Sequence, residues 1–175
     1  EARSAAFSHA VYFESVQFDF VSYAQKLDEK SAVGFGIYTL SAGVIDQTDA
    51  AGLKTGSYNP RDSSFYGSYA FAFPALAGGF DRLDGWSVGI TAKFIQSKIT
   101  NTAKTQALDL GLLSPGYRDN RLKFSFVTQN IGGGLKFDQS SDPLPLQLKL
   151  GGAYKISESM NYGLDVRFPR DGSPY

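Results

Sequence analysis

The chain has 175 residues with 17 basic and 17 acidic side chains, one histidine and no cysteine. The cancelling charge gives no reason to expect a nucleic-acid or anionic-surface partner, and the missing cysteine excludes disulfides, thiol catalysis and cysteine-based metal sites. No run of about 18 apolar residues occurs, which excludes a transmembrane helix but not a β-barrel, whose strands need only about 10 alternating residues.

In chain order the two-residue alternation predicts nine strands, at about residues 5–13, 16–26, 32–42, 63–73, 85–98, 104–113, 121–130, 145–155 and 159–168. The clearest is Trp86 to Phe94, with large apolar side chains on one parity and Ser87, Gly89, Thr91 and Lys93 on the other. Leu146 to Tyr154 and Met160 to Phe168 repeat it. Helical periodicity is absent. Strands of about ten residues exceed the usual five or six and match what a tilted strand needs to cross a bilayer. Short turns at 27–31 and 157–158 and moderate ones at 74–84 and 114–120 fall on one end. Longer connections at 43–62 and 132–144 fall on the other, with short junctions near Glu14 and at 99–103. By the rule of short periplasmic turns and long external loops, the two long connections are expected outside the cell.

The expected fold class is therefore all-β, an antiparallel up-and-down transmembrane β-barrel in one domain over 1–175. The odd strand count, with no closing strand before Tyr175, predicts a larger, even-stranded barrel, and the expected size is about 14 strands. The expected lipid parity includes Val16, Phe18, Phe20, Val33, Phe35, Ile37, Phe65, Tyr69, Phe71, Phe73, Leu108, Leu110, Leu112, Leu122, Phe124 and Phe126, with charge only at the strand-end Lys26, Lys98 and Lys104. Phe73, Trp86 and Tyr154 are placed near one membrane boundary and Phe13, Phe65 and Phe168 near the other, as aromatic girdles. Asp19, Lys93, Asp109, Lys123, Lys149, Asp165 and Arg167 are expected to line the lumen. If residue 98 pairs near 104, Lys93 falls opposite Asp109. If 155 pairs near 159, Lys149 falls opposite Asp165. A soluble sandwich, with the apolar parity against a second sheet, is the competing architecture.

Little in the chain suggests catalysis. His9 is the one histidine, and it shares parity with Phe7 and Val11, which reads as packing rather than as a general base. Asp46, Asp49 and Asp62 match no calcium-loop spacing. Gly132–Gly134 precedes no helix that would offer amides to a phosphate, so it reads as a turn. Pro143 and Pro145 fix extended geometry where a strand opens. No enzymatic activity, cofactor or metal is expected.

The string Leu122 to Ile156, with Gln129-Asn130-Ile131-Gly132, Asp142-Pro143-Leu144-Pro145-Leu146 and Gly151-Gly152-Ala153-Tyr154, resembles the PorV/PorQ family of outer-membrane barrels. The stretches from Gly43, Ala107 and Asp165 are similar to further family positions, although the family's N-terminal segment and final strands have no counterpart here. The resemblance implies a bacterial outer-membrane barrel akin to the FadL channels, with some members serving type IX secretion. On that basis the partners are membrane lipid and secretion or envelope proteins. The external contacts are then Asp46, Asp49, Tyr58, Asp62, Lys136 and Asp142. A FadL-like conduit for hydrophobic molecules and a soluble sandwich binding module are the alternatives.

Overall fold

A computed structural model of the chain describes residues 2–74, 84–137 and 140–172. The expected turn across 75–83 and the last three residues lie outside them. The described residues form thirteen strands: β1 (Arg3–Val11), β2 (Gln17–Lys26), β3 (Ser31–Ser41), β4 (Ile45–Thr48), β5 (Lys54–Tyr58), β6 (Arg61–Ala72), β7 (Ser87–Lys98), β8 (Thr102–Leu113), β9 (Leu122–Gly132), β10 (Leu135–Phe137), β11 (Ser140–Asp142), β12 (Gln147–Ser157) and β13 (Met160–Pro169). Nine form one antiparallel sheet in the order β1-β2-β3-β6-β7-β8-β9-β12-β13, so each long strand pairs with the next long strand in sequence. These are the nine expected strands, with ends displaced by at most two residues. Among the described residues β1 and β13 are its two edges, with no ladder between them, so no closed barrel is formed.

The two long connections are not loops. Each holds a hairpin, β4 with β5 and β10 with β11. Their strands are three to five residues long and mostly polar. Segments of three to five residues are too short for an alternation to stand out from chance.

Register divides the sheet into two faces, because residues directly opposite in neighbouring strands point the same way. One face carries Phe7, Val21, Ile37, Phe65, Ile90, Leu110, Phe124, Leu150 and Leu164; the other carries Ser22, Gly36, Tyr66, Lys93, Asp109, Lys149 and Asp165. Exposure runs opposite to that of a water-soluble strand. In β7 and β8 the apolar Ile90, Phe94, Leu108 and Leu110 are exposed, while Thr91, Lys93, Thr105, Ala107 and Asp109 are half or fully buried. Ile90 is 44% exposed, Leu110 47%, Phe124 49% and Leu164 59%.

Among the described residues no second sheet covers the apolar face. Among the described residues the only buried apolar side chains are Ala103, Ala107 and Leu144. The accessible surface is 12241 Å², against about 8,400 Å² for a compact soluble monomer of this mass. The sandwich expectation is thus not met. Phe71, Ile90, Leu148 and Leu164 share one face and interleave with nothing from a facing layer.

The β2–β3 turn is fixed by one carboxylate. Asp28 Oδ1 accepts from the Lys30 and Ser31 backbone N–H groups at 2.7 Å each, and Oδ2 accepts from Ser31 Oγ at 2.8 Å. The Lys30 amide first, then the Ser31 hydroxyl and amide, hold the Asp28 carboxyl below its ordinary value because all three bond the charged form. The resulting support for the turn is complete above the ordinary carboxylate range and is lost as pH falls through the lowered folded value. Carboxyl chemical-shift titration is expected to place Asp28 below the ordinary aspartate value, with faster exchange of the Lys30 and Ser31 amides on the acid side. A titration at the ordinary value would contradict this.

Candidate functional site

On the polar face the chemistry gathers where β7, β8 and β9 meet. The β7–β8 turn is two residues tighter than expected: Lys98 pairs with Thr102, so Lys93 lies opposite Ala107 and Asp109 opposite Thr91. A shift of two preserves the face, and the long Lys93 side chain spans the diagonal. Lys93 Nζ and Asp109 Oδ2 form an ion pair at 2.6 Å, with the side chains only 17% and 12% exposed.

Asn130 completes the group. Leu108 pairs with Ile131 and Leu110 with Thr128, so Asp109 faces two residues of β9, a β-bulge. Asn130 occupies the bulge at φ 63°, a left-handed conformation that asparagine tolerates better than most residues. Its N–H donates to Asp109 Oδ1 at 2.8 Å, its Oδ1 accepts from Lys93 Nζ at 2.9 Å, and its Nδ2 donates to the Pro145 carbonyl at 2.9 Å. One residue, through its backbone N–H and its side chain, thereby ties three strands to the proline segment that opens β12. Periodicity alone singles out Lys93 and Asp109 but not Asn130; the signal available was an asparagine near the end of a strand, where that residue is disfavoured.

Asn130→Ala is expected to lower stability by about 1–3 kcal/mol, through a strained backbone and unmet bonds at Lys93 and Pro145. Asn130→Gly relaxes the backbone and is expected to cost less. Urea unfolding of both variants measures this; equal losses would mean that backbone strain contributes nothing.

Lys123, Lys149, Asp165 and Arg167 share this polar face, as the alternation requires. Their pairing differs from expectation: Lys149 lies opposite Arg167 and Asp165 opposite Gly151, because Lys155 pairs with Asn161 rather than near residue 159, a slip of two in the opposite sense to that of β7–β8, with an irregularity between Lys155 and Ser157. Asp19 is a correction. It lies opposite His9 and Thr39, on the face of Phe7, Val21 and Ile37. Phe18, Phe20 and Lys26, expected toward lipid, lie on the polar face instead. Both parities of β2 carry apolar side chains, so alternation is ambiguous there and the Asp28 turn sets the register.

The register of β2 has a consequence for the polar face. Phe18, Phe20, Tyr38, Tyr66 and Ile95 form an apolar patch on the polar face, with Phe18 stacked near Tyr38 at 6.4 Å between ring centroids. Tyr66 lies across Gly36, where a Cβ would collide with its ring. Ser64 is fully buried beneath this patch.

His9 Nδ1 and Asp19 Oδ1 approach to 2.7 Å, both side chains remaining about half exposed. Register surrounds His9 with Phe7, Val11, Gln17 and Val21, none of them a nucleophile. The pair explains how a histidine and an aspartate share an apolar face: each satisfies the other at the rim. The candidate contact residues cluster at the end of the sheet from which both hairpins arise. Asp46 pairs with Lys54 at 2.6 Å across β4–β5, and Asp49 Oδ1 accepts from the Ala51 and Leu53 N–H groups at 2.9 Å each. Tyr58 ends β5, Lys136 lies in β10 and Asp142 ends β11. Asp62 lies inside β6 rather than in a loop and accepts from Ser97 Oγ at 2.5 Å. Among the described residues no group of three His, Cys, Asp or Glu side chains could hold a metal ion.

No family model matches the sequence, and a search of curated proteins finds no match.

Proposed function

We propose that this chain forms wall of a bacterial outer-membrane β-barrel, with the apolar face toward lipid and the polar face toward the lumen. The observation that carries the reading is the inverted exposure of β7 and β8, where Ile90 and Leu110 are uncovered and Lys93 and Asp109 are shielded. Water penalises that arrangement, whereas hydrocarbon favours it. A bilayer also requires every backbone group to be paired, so the β1 and β13 edges must gain partners in the membrane. Refolding into phosphatidylcholine vesicles tests this. The expected result is a folded, lipid-associated protein whose apolar face reacts with a lipid-soluble photolabel. Stable monomers partitioning into a detergent-free aqueous phase would overturn it.

Within that barrel we infer a PorV/PorQ-type, non-enzymatic role in protein secretion, with exported proteins docking on the end that bears β4–β5 and β10–β11. Support comes from the family resemblance and from both hairpins rising at one end, carrying Asp46, Asp49, Tyr58, Lys136 and Asp142. Affinity capture from solubilised membranes is expected to recover protein partners that are lost when the hairpins are shortened. Recovery of lipid or fatty acid alone would count against the role.

A FadL-like conduit for hydrophobic molecules is the second reading, favoured by the inner patch of Phe18, Phe20, Tyr38 and Tyr66. Long-chain fatty-acid uptake that falls on Tyr38→Asp, with no protein partner captured, would select it.

A further inference from the structure

We propose that the apolar face across β6, β7 and β8 carries a binding site for one anionic phospholipid of the surrounding membrane, an inference that rests on that face being turned toward lipid. Two adjoining hollows mark it. The first, of about 730 Å³, is floored by Gly67 and Ala92 and walled by Phe35, Phe65, Phe94 and Leu108. Gly67 and Ala92 lie directly opposite each other, so a residue with no side chain meets one with only a methyl group, and the aromatic rings stand around the gap. The volume falls in the range of about 300–1,000 Å³ typical of small-ligand sites, and its walls suit an acyl chain. The second hollow, of about 520 Å³, shares Phe94 and Gln106 with the first and adds Lys104 and Thr105, so the cleft turns from apolar to basic toward the end that bears the hairpins.

Above it the same face carries three exposed cations. Arg61 lies directly opposite Lys98, and Lys104 lies opposite Gln96, one row nearer the hollow. Successive rows on a face are about 7 Å apart, which sets a phosphate at the cations about one to two rows above the chain's first methylenes. Register places no acid on this face of β3, β6, β7 or β8: Asp62 and Asp109 both point to the other side. Three cations bordering hydrocarbon cost energy unless a headgroup anion meets them, and a phosphate ester with three acceptor oxygens does so. The cations recruit the headgroup and the hollow holds one chain.

Native mass spectrometry of the vesicle-inserted protein, released in mild detergent, tests the site with dipalmitoyl phosphatidylglycerol and dipalmitoyl phosphatidylcholine at equal amounts. The expected result is one retained lipid with at least about tenfold preference for phosphatidylglycerol. Arg61→Gln/Lys98→Gln/Lys104→Gln is expected to abolish the preference while insertion is unchanged, and Gly67→Leu/Ala92→Leu to reduce retention of both lipids. A preference that survives the triple substitution, or none at all in an inserted protein, overturns the site but leaves the membrane wall intact. Displacement by glycerol 3-phosphate at equal concentration overturns the lipid as occupant. Failure to insert overturns the lipid-facing reading and the site together.

Discussion

Ile90→Arg is expected to destabilise the protein in lipid by about 2–4 kcal/mol, the cost of a cation near the middle of the apolar band of a transmembrane barrel. Ile90 lies between Tyr69 and Leu110 in register, within the apolar rows below the strand-end cations. The same substitution has a different expected size in water, where a side chain already 44% exposed changes stability by no more than about 0.5 kcal/mol. A matched substitution near a strand end, Phe168→Arg, is expected to cost about 0–1 kcal/mol in lipid because the end meets the interface. Urea unfolding in phosphatidylcholine vesicles, followed by the fluorescence of the single Trp86, measures the two losses in lipid, and the same unfolding in lipid-free buffer measures the third. A loss in lipid no greater than that at Phe168 would mean that hydrocarbon does not cover this face.

Asp109→Ala is expected to cost about 3 kcal/mol, because it leaves the Lys93 ammonium shielded without its carboxylate and also removes the acceptor of the Asn130 N–H. The loss comes more from stranding charge than from the intrinsic strength of the pair. Lys93→Met/Asp109→Leu is therefore expected to be more stable than Asp109→Ala alone, since both charges leave together. Chemical unfolding of the single and double variants in the same vesicles decides it. Additive losses would show that Lys93 and Asp109 do not interact, despite their 2.6 Å approach. The outcome also bears on function. A pair that mainly holds β7 to β8 contributes little to ion selectivity in a lumen, whereas a free lysine there would contribute more.

The strand alternation was legible wherever one parity was uniformly apolar, as in β7, β12 and β13, because the two-residue period maps sequence directly onto faces. It failed in β2, where Phe18, Phe20, Val21 and Tyr23 populate both parities and composition cannot choose between them. Turn geometry made that choice, through the bonds Asp28 gives the β2–β3 connection. The Lys93–Asp109 pair was correct as a contact and wrong as a register, since a two-residue slip keeps the face and moves the row. Asn130 had no periodic signal because a bulge interrupts the period.

The amino-acid sequence by itself determined the all-β class, the nine long strands and the segregation of apolar from polar side chains. Those features follow from local backbone geometry and from burial pattern, both written residue by residue. Tertiary structure alone decided which side chains meet: the bulge that lets Asn130 bridge Lys93 to Pro145, the placement of Phe18 and Asp19, and the alignment of Gly67 with Ala92 beneath Arg61, Lys98 and Lys104. Those contacts depend on how far each strand slides past its neighbour, a quantity set by turns and bulges that strand periodicity does not encode.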